Sequence, residues 1–114
     1  MINFGEETRK VLTNHCYTMD DINWIGNDRI LVSKESFFRR ADKFNYDHGF
    51  GAAHAPTDVI IFMKDNTWFE RKEYDGLEWW IHRSIPKRPS YTYPYQLTEF
   101  DPNAFWPKLH DFAI

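Results

Sequence analysis

Two glutamates, Glu73 and Glu78, flank an Asp75-Gly76 pair, with Arg71 just before them and Trp80 and His82 just after. Two carboxylates whose pKa values are driven apart are the raw material of acid–base catalysis. Asp-Gly between β-prone runs is a strong signal for a two-residue hairpin. In that register Tyr74 pairs with Leu77, Glu73 with Glu78, Lys72 with Trp79 and Arg71 with Trp80. Alternation sends Phe69, Arg71, Glu73, Glu78, Trp80 and His82 to one face. It sends Trp68, Glu70, Lys72, Tyr74, Leu77, Trp79 and Ile81 to the other, which is the expected core side despite Glu70 and Lys72. On the first face Glu73 and Glu78 repel across the strands, and Arg71 relieves them. The plain expectation there is a solvated face whose Arg–Glu pair is worth about 0–1 kcal/mol. The functional expectation is a binding surface made of Arg71, Glu73, Glu78, Trp80 and His82, with a Glu73/Glu78/His82 catalytic cluster ranked below it.

Other chemistry is thinner. His48 and His54 share a loop with Asp47, and His15 adjoins Cys16, but no His-Glu-x-x-His or Cys-x-x-Cys spacing occurs, so no metal is expected. Cys16 reads as a small core residue on the apolar side of a helix rather than a nucleophile. Gly49-Phe50-Gly51 lacks the third glycine and the preceding strand of a dinucleotide loop, so no cofactor is expected. Tyr91, Tyr93 and Tyr95 with Lys87-Arg88 resemble a stacking platform for single-stranded nucleic acid. Packing of this tail across the sheet is the preferred reading.

The elements that must position these groups follow from periodicity. Glu6 to Cys16 reads as an amphipathic helix through Val11, Leu12 and Cys16. Thr18-Met19-Asp20-Asp21 has capping-box form, and Ile22 and Ile25 at helical spacing predict a second short helix ending at Gly26. Residues 29–33 read as a strand, after which Ser33 caps a helix lined by Phe37, Phe38, Ala41 and Phe44. Asn45 to Thr57 reads as a long loop. The apolar run from Asp58 to Met63 reads as a strand covered on both faces, followed by a turn at Lys64-Asp65-Asn66 and the hairpin. Pro86, Pro89 and Pro94 forbid regular pairing in the tail, and Asp101-Pro102 predicts a short C-terminal helix carrying Phe105, Trp106, Leu109 and Phe112. The expected architecture is a single α+β domain. An antiparallel sheet of about four strands, a meander over 58–83 plus strand 29–33, packs against N-terminal and central helices.

Composition narrows the partners. At 114 residues the chain suits one domain and can bury roughly two-thirds of its unfolded surface. Aromatics make up 18%, with five Trp, six Tyr and ten Phe, so the core is built from a few large pieces. A net charge of −3 with mixed signs disfavours phosphate neutralisation and anionic membranes. One cysteine excludes an intrachain disulfide and fits a reducing cytosol. An acidic start without an apolar h-region reads as no signal peptide, and no stretch nears the ~20 apolar residues of a membrane span. The expectation is a cytoplasmic protein.

Tyr46-Asp47-His48-Gly49-Phe50-Gly51, Asp58-Val59-Ile60-Ile61, Trp68-Phe69-Glu70-Arg71 and Glu73-Tyr74-Asp75-Gly76-Leu77-Glu78-Trp79-Trp80, ending at Pro86 and Pro89, carry a resemblance. The chain resembles short uncharacterised proteins carried by phages and prophages of low-GC Gram-positive bacteria. The resemblance implies no activity and no functional residue; it implies an accessory protein acting through binding. The leading expectation is therefore a non-enzymatic protein-binding module of phage or mobile-element origin. A small hydrolase using Glu73, Glu78 and His82, a single-stranded nucleic-acid binder and a homodimer follow it.

Overall fold

The computed structural model describes residues 1–47, 51–90 and 93–114. The readings placed on His48, Gly49, Phe50 and Tyr91 lie outside them. The chain is α+β; the described residues form two α-helices, a five-stranded antiparallel sheet and a two-stranded ribbon. It begins with a short strand, β1 (Ile2–Asn3), and helix α1 (Phe4–Asn14). Asn3 caps α1 by accepting the Glu6 amide, which answers one orphan donor of the first turn. The helix stops at Asn14, so Cys16 lies beyond it at φ 63, exposed, and is not the core residue expected.

The capping box at Thr18 forms: Asp21 Oδ2 accepts the Thr18 amide at 2.7 Å and its hydroxyl at 3.2 Å. It starts only a 3₁₀ turn, Met19–Asp21, and the expected helix to Gly26 is instead strand β2 (Ile22–Gly26). The reason is a bulge. β2 pairs Ile22 with Met63 but Trp24 with Phe62, so Asn23 is an extra residue in the ladder. That one-residue slip turns both Ile22 and Ile25 inward, 1% and 0% exposed, at a spacing that mimics a helix.

The expected strand over 29–33 shrinks to β3 (Leu31–Val32), because the Asn27 side chain accepts the amides of Arg29 and Ile30 and turns the chain. Ser33 caps α2 (Lys34–Ala41) as read, and Phe44 packs on the core from beyond its end. Inside the expected long loop, β4 (Asn45–Tyr46) pairs with β1. β5 (Ile60–Met63), β6 (Trp68–Tyr74) and β7 (Leu77–Arg83) complete the sheet, in the order β3-β2-β5-β6-β7.

The hairpin register is the one read from Asp75-Gly76, whose φ values of 50° and 84° fit the paired positive angles of a tight hairpin turn. Its two faces are reversed. Phe69, Glu78 and Trp80 are 0%, 1% and 6% exposed and join Phe4, Leu12, Ile25, Phe38 and Ile61 in the core. Trp68, Lys72, Trp79 and Ile81 face away from the helices. β5 alternates in the same sense, with Ile61 and Met63 buried and Ile60 and Phe62 half-buried, so it is covered on one face rather than two.

After Arg83 the described residues run as a largely exposed arm, not as the expected cover across the sheet. Its expected helix is reduced to a 3₁₀ turn, Leu109–Phe112, and Gln96 and Ile114 exchange backbone hydrogen bonds to close the arm on itself.

Gly26 is fixed by close approach, since a β-carbon there would overlap the Ile30 carbonyl oxygen. Gly26→Ala is expected to destabilise the chain by about 1–3 kcal/mol in urea denaturation, the usual cost of forcing atoms into a packed site. An unchanged midpoint contradicts the β2–β3 approach.

Candidate functional site

The residues singled out on the hairpin form the inner end of a buried polar network. Arg71, its side chain 3% exposed, gives one guanidinium nitrogen to Glu78 Oε1 at 3.0 Å and to the Tyr46 hydroxyl at 3.2 Å. It gives the other to Glu7 Oε2 at 3.3 Å. Tyr46 in turn donates to Glu7 Oε1 at 2.6 Å. Glu78 also accepts the backbone amides of His54 (2.7 Å) and Ala55 (2.9 Å), which ties the 51–57 loop to the hairpin. The guanidinium carbon lies 5.0 Å from the Phe4 ring centre and 4.9 Å from that of Trp80, two rings stacked at 5.7 Å. Trp80 donates its indole N–H to Thr8, whose hydroxyl donates to the Phe4 carbonyl.

Electrostatics agree with a charged, satisfied centre. Burial pushes the Glu78 carboxyl up, but the His54 and Ala55 amides and Arg71 pull harder, leaving it below the usual glutamate range. Burial, and then the Glu7 carboxylate, push the Tyr46 phenol up. Arg71 Nε is buried without a hydrogen-bond partner among the described residues.

This is cement between α1, β4, the 51–57 loop and the hairpin, not the solvated Arg–Glu face read from the sequence. Nor does it present the five residues as one open surface. Arg71, Glu78 and Trp80 are internal, His82 is half-buried, and Glu73 alone is fully exposed. The Glu73/Glu78/His82 convergence fails on distance. His82 lies four residues along β7 from Glu78, roughly 13 Å at 3.3 Å per residue. The recess that Arg71, Glu73 and Glu78 line holds about 140 Å³, well under the ~300 Å³ of a small-molecule site.

His82 belongs to a second cluster. Tyr17 donates to Asp65 Oδ2 at 2.5 Å and Thr67 donates to Asp65 Oδ1 at 2.6 Å. Each hydroxyl has one proton to give, so the proton between them and His82 is that on Nε2, 2.9 Å from the Thr67 oxygen and 3.3 Å from that of Tyr17. The ring stacks on Phe69 at 4.6 Å and meets His15 at 4.8 Å. Burial, reinforced by His15, lowers the His82 pKa, and the Thr67 and Tyr17 hydroxyls lower that of Asp65. Among the described residues no group of three or more His, Cys, Asp or Glu is placed to hold a metal.

The feature that sequence reading missed is on the opposite face. Trp24, Phe62 and Trp68, on three adjacent strands, stack in a row at 5.3 and 6.3 Å with ring planes within 12°. The three side chains share one row of the sheet, on neighbouring strands paired Trp24 to Phe62 and Phe62 to Trp68. Ile60 and Ile81 flank the row, and an Arg83–Glu70 pair (2.6 Å) closes its end. Neither helix reaches this face. The signal was present in the alternation of β6 and β7, but it was assigned to the core.

Removing the Arg71 charge while leaving its buried partners is expected to cost about 3–5 kcal/mol in Arg71→Leu, measured by urea unfolding. Glu73→Ala is expected to stay within about 0.5 kcal/mol of wild type. Comparable losses in the two variants contradict the burial.

The lowered His82 pKa fixes a sign. The unfolded chain takes up this proton near pH 6.5, before the folded chain does. The stability due to neutral His82 is complete above about pH 6.5 and is lost as the pH falls through that value. Urea midpoints at about pH 7.5 and about pH 5.5 are expected to fall further apart in wild type than in His82→Gln. Equal spacing in both proteins contradicts this role.

Comparison with family models, with curated protein sequences and with solved structures finds no match to this chain.

Proposed function

We propose that this chain is a non-enzymatic, cytoplasmic protein-binding module, encoded by a phage or mobile element, whose docking surface is the open sheet face. The observation that carries this reading is the stacked, half-buried Trp24–Phe62–Trp68 row on the sheet face away from the helices. Aromatic side chains with an arginine at the rim are the composition of interface centres, and Trp is prominent among their energetic anchors. The polar clusters point the same way, because Arg71, Glu78 and His82 make their hydrogen bonds to groups of the same chain.

The same geometry weighs against nucleic acid. Bases need free ring faces to stack on, whereas these rings are half-buried and stacked on one another. The net charge of −3 supplies no phosphate-neutralising footprint. The surface fits a polypeptide that inserts aliphatic or aromatic side chains beside these rings. No helix among the described residues is long and apolar enough to cross a membrane.

The test is recovery of a partner from bacterial lysate, its purification, and its titration against wild type and Trp24→Ser/Trp68→Ser. The double variant is expected to lose at least ~2 kcal/mol of binding, about thirtyfold. A partner that binds both proteins equally sinks the reading, as does Trp68-dependent micromolar binding of a fluorescent oligothymidylate.

A further inference from the structure

The C-terminal arm carries the kind of side chains that the open sheet face lacks as a cover. Phe105 and Trp106 at its tip are each 90% exposed, Tyr93 is 87%, Leu109 is 69% and Phe100 is 66%. At about 150–250 Å² per ring, these four aromatics offer on the order of 500–800 Å², close to the ~800 Å² per partner of a stable interface. Trp106 is also held at φ 52, a left-handed conformation rare for a bulky residue. Among the described residues no ring contact or hydrogen bond holds the side chain there, which is 90% exposed.

The arm is not laid on its own sheet. It leaves β7 after Arg83, which pairs with Trp68 at the end of the aromatic row. Pro86 and Pro89 keep the next segment extended and exposed. The radius of gyration is 18.6 Å, where about 13 Å is usual for a compact chain of this size. Yet the arm has structure of its own: Leu97 and Ala113 bridge, and Phe100 packs edge-on to Phe112 at 5.2 Å. It is a folded projection with an apolar tip, not a frayed end.

The sheet face supplies a matching apolar strip. Beside Trp24, Phe62 and Trp68, two residues or roughly 7 Å along the strands, lie Ile60 and Ile81, both half-buried.

We propose that the occupant of the open sheet face is the C-terminal arm of a second copy of this chain, in a two-fold arm-exchanged dimer with Phe105 and Trp106 as anchors. This rests on the reading of the sheet face as a docking surface. Each copy gives one arm and receives one, so the two-fold axis doubles the buried area and closes the assembly.

The experiment is multi-angle light scattering of the full chain over a concentration series, with an arm variant, Phe105→Ser/Trp106→Ser, and a face variant, Trp24→Ser/Trp68→Ser. The arm residues are so exposed that their loss leaves the folded body intact, which circular dichroism checks. Wild type is expected as a dimer and each variant as a monomer. An equimolar mixture of the two variants is expected to recover a weaker dimer, because the intact arm of one meets the intact face of the other. A monomeric wild type overturns the arm exchange and leaves the face free for a different protein. A dimer broken by the face variant but not by the arm variant overturns the arm as occupant and keeps the face. A dimer insensitive to both overturns the two together.

Discussion

The buried bond between Arg71 and Glu78 is the constraint on which the rest of the structure depends. A cross-strand pair on a hairpin ordinarily faces water. Here it is drawn inward because Arg71 and Glu78 find further partners there: Glu7 from α1, Tyr46 from the ribbon strand, and the amides of His54 and Ala55 from the loop, with Arg71 Nε left over. Enclosing two charges is costly unless such partners are in place. Once they are, the hairpin can be oriented only one way. Phe69 and Trp80, which share the face of Arg71, must go in with it, and Trp68 and Trp79 must stay out.

That orientation sets the division of labour. The inner face spends its polar groups on cohesion, with Trp80 bonded to Thr8 and His82 to Thr67. The outer face is left with large apolar side chains and little to bond. Among the described residues, the Trp24–Phe62–Trp68 row lies on the sheet face turned away from the helices. The proposed binding surface therefore lies on the side opposite to the chemistry-bearing residues.

How far the sequence revealed this varied by element, for physical reasons. The hairpin register was legible because Asp75-Gly76 admits positive φ at both positions, and the α2 cap was legible because Ser33 lies three residues before the amide it accepts. β2 was misread because a bulge at Asn23 gave Ile22 and Ile25 the spacing of a helix. The hairpin faces were reversed because polar residues were taken to point outward. The groups that reward burying Arg71 lie 64 and 25 positions away in Glu7 and Tyr46. Local alternation carries no trace of contacts at that range. The His82 cluster was equally hidden, since Tyr17 stands 65 positions from its imidazole.

The orientation of the hairpin is tested most directly by oxidative footprinting of its adjacent tryptophans. Trp79 is 38% exposed and Trp80 6%, and they sit next to one another on β7. Hydroxyl-radical labelling read by mass spectrometry should oxidise Trp79 several times faster than Trp80 under native conditions, with the difference disappearing in denaturant. Faster labelling of Trp80 than of Trp79 would place the Arg71 face in water and contradict the account.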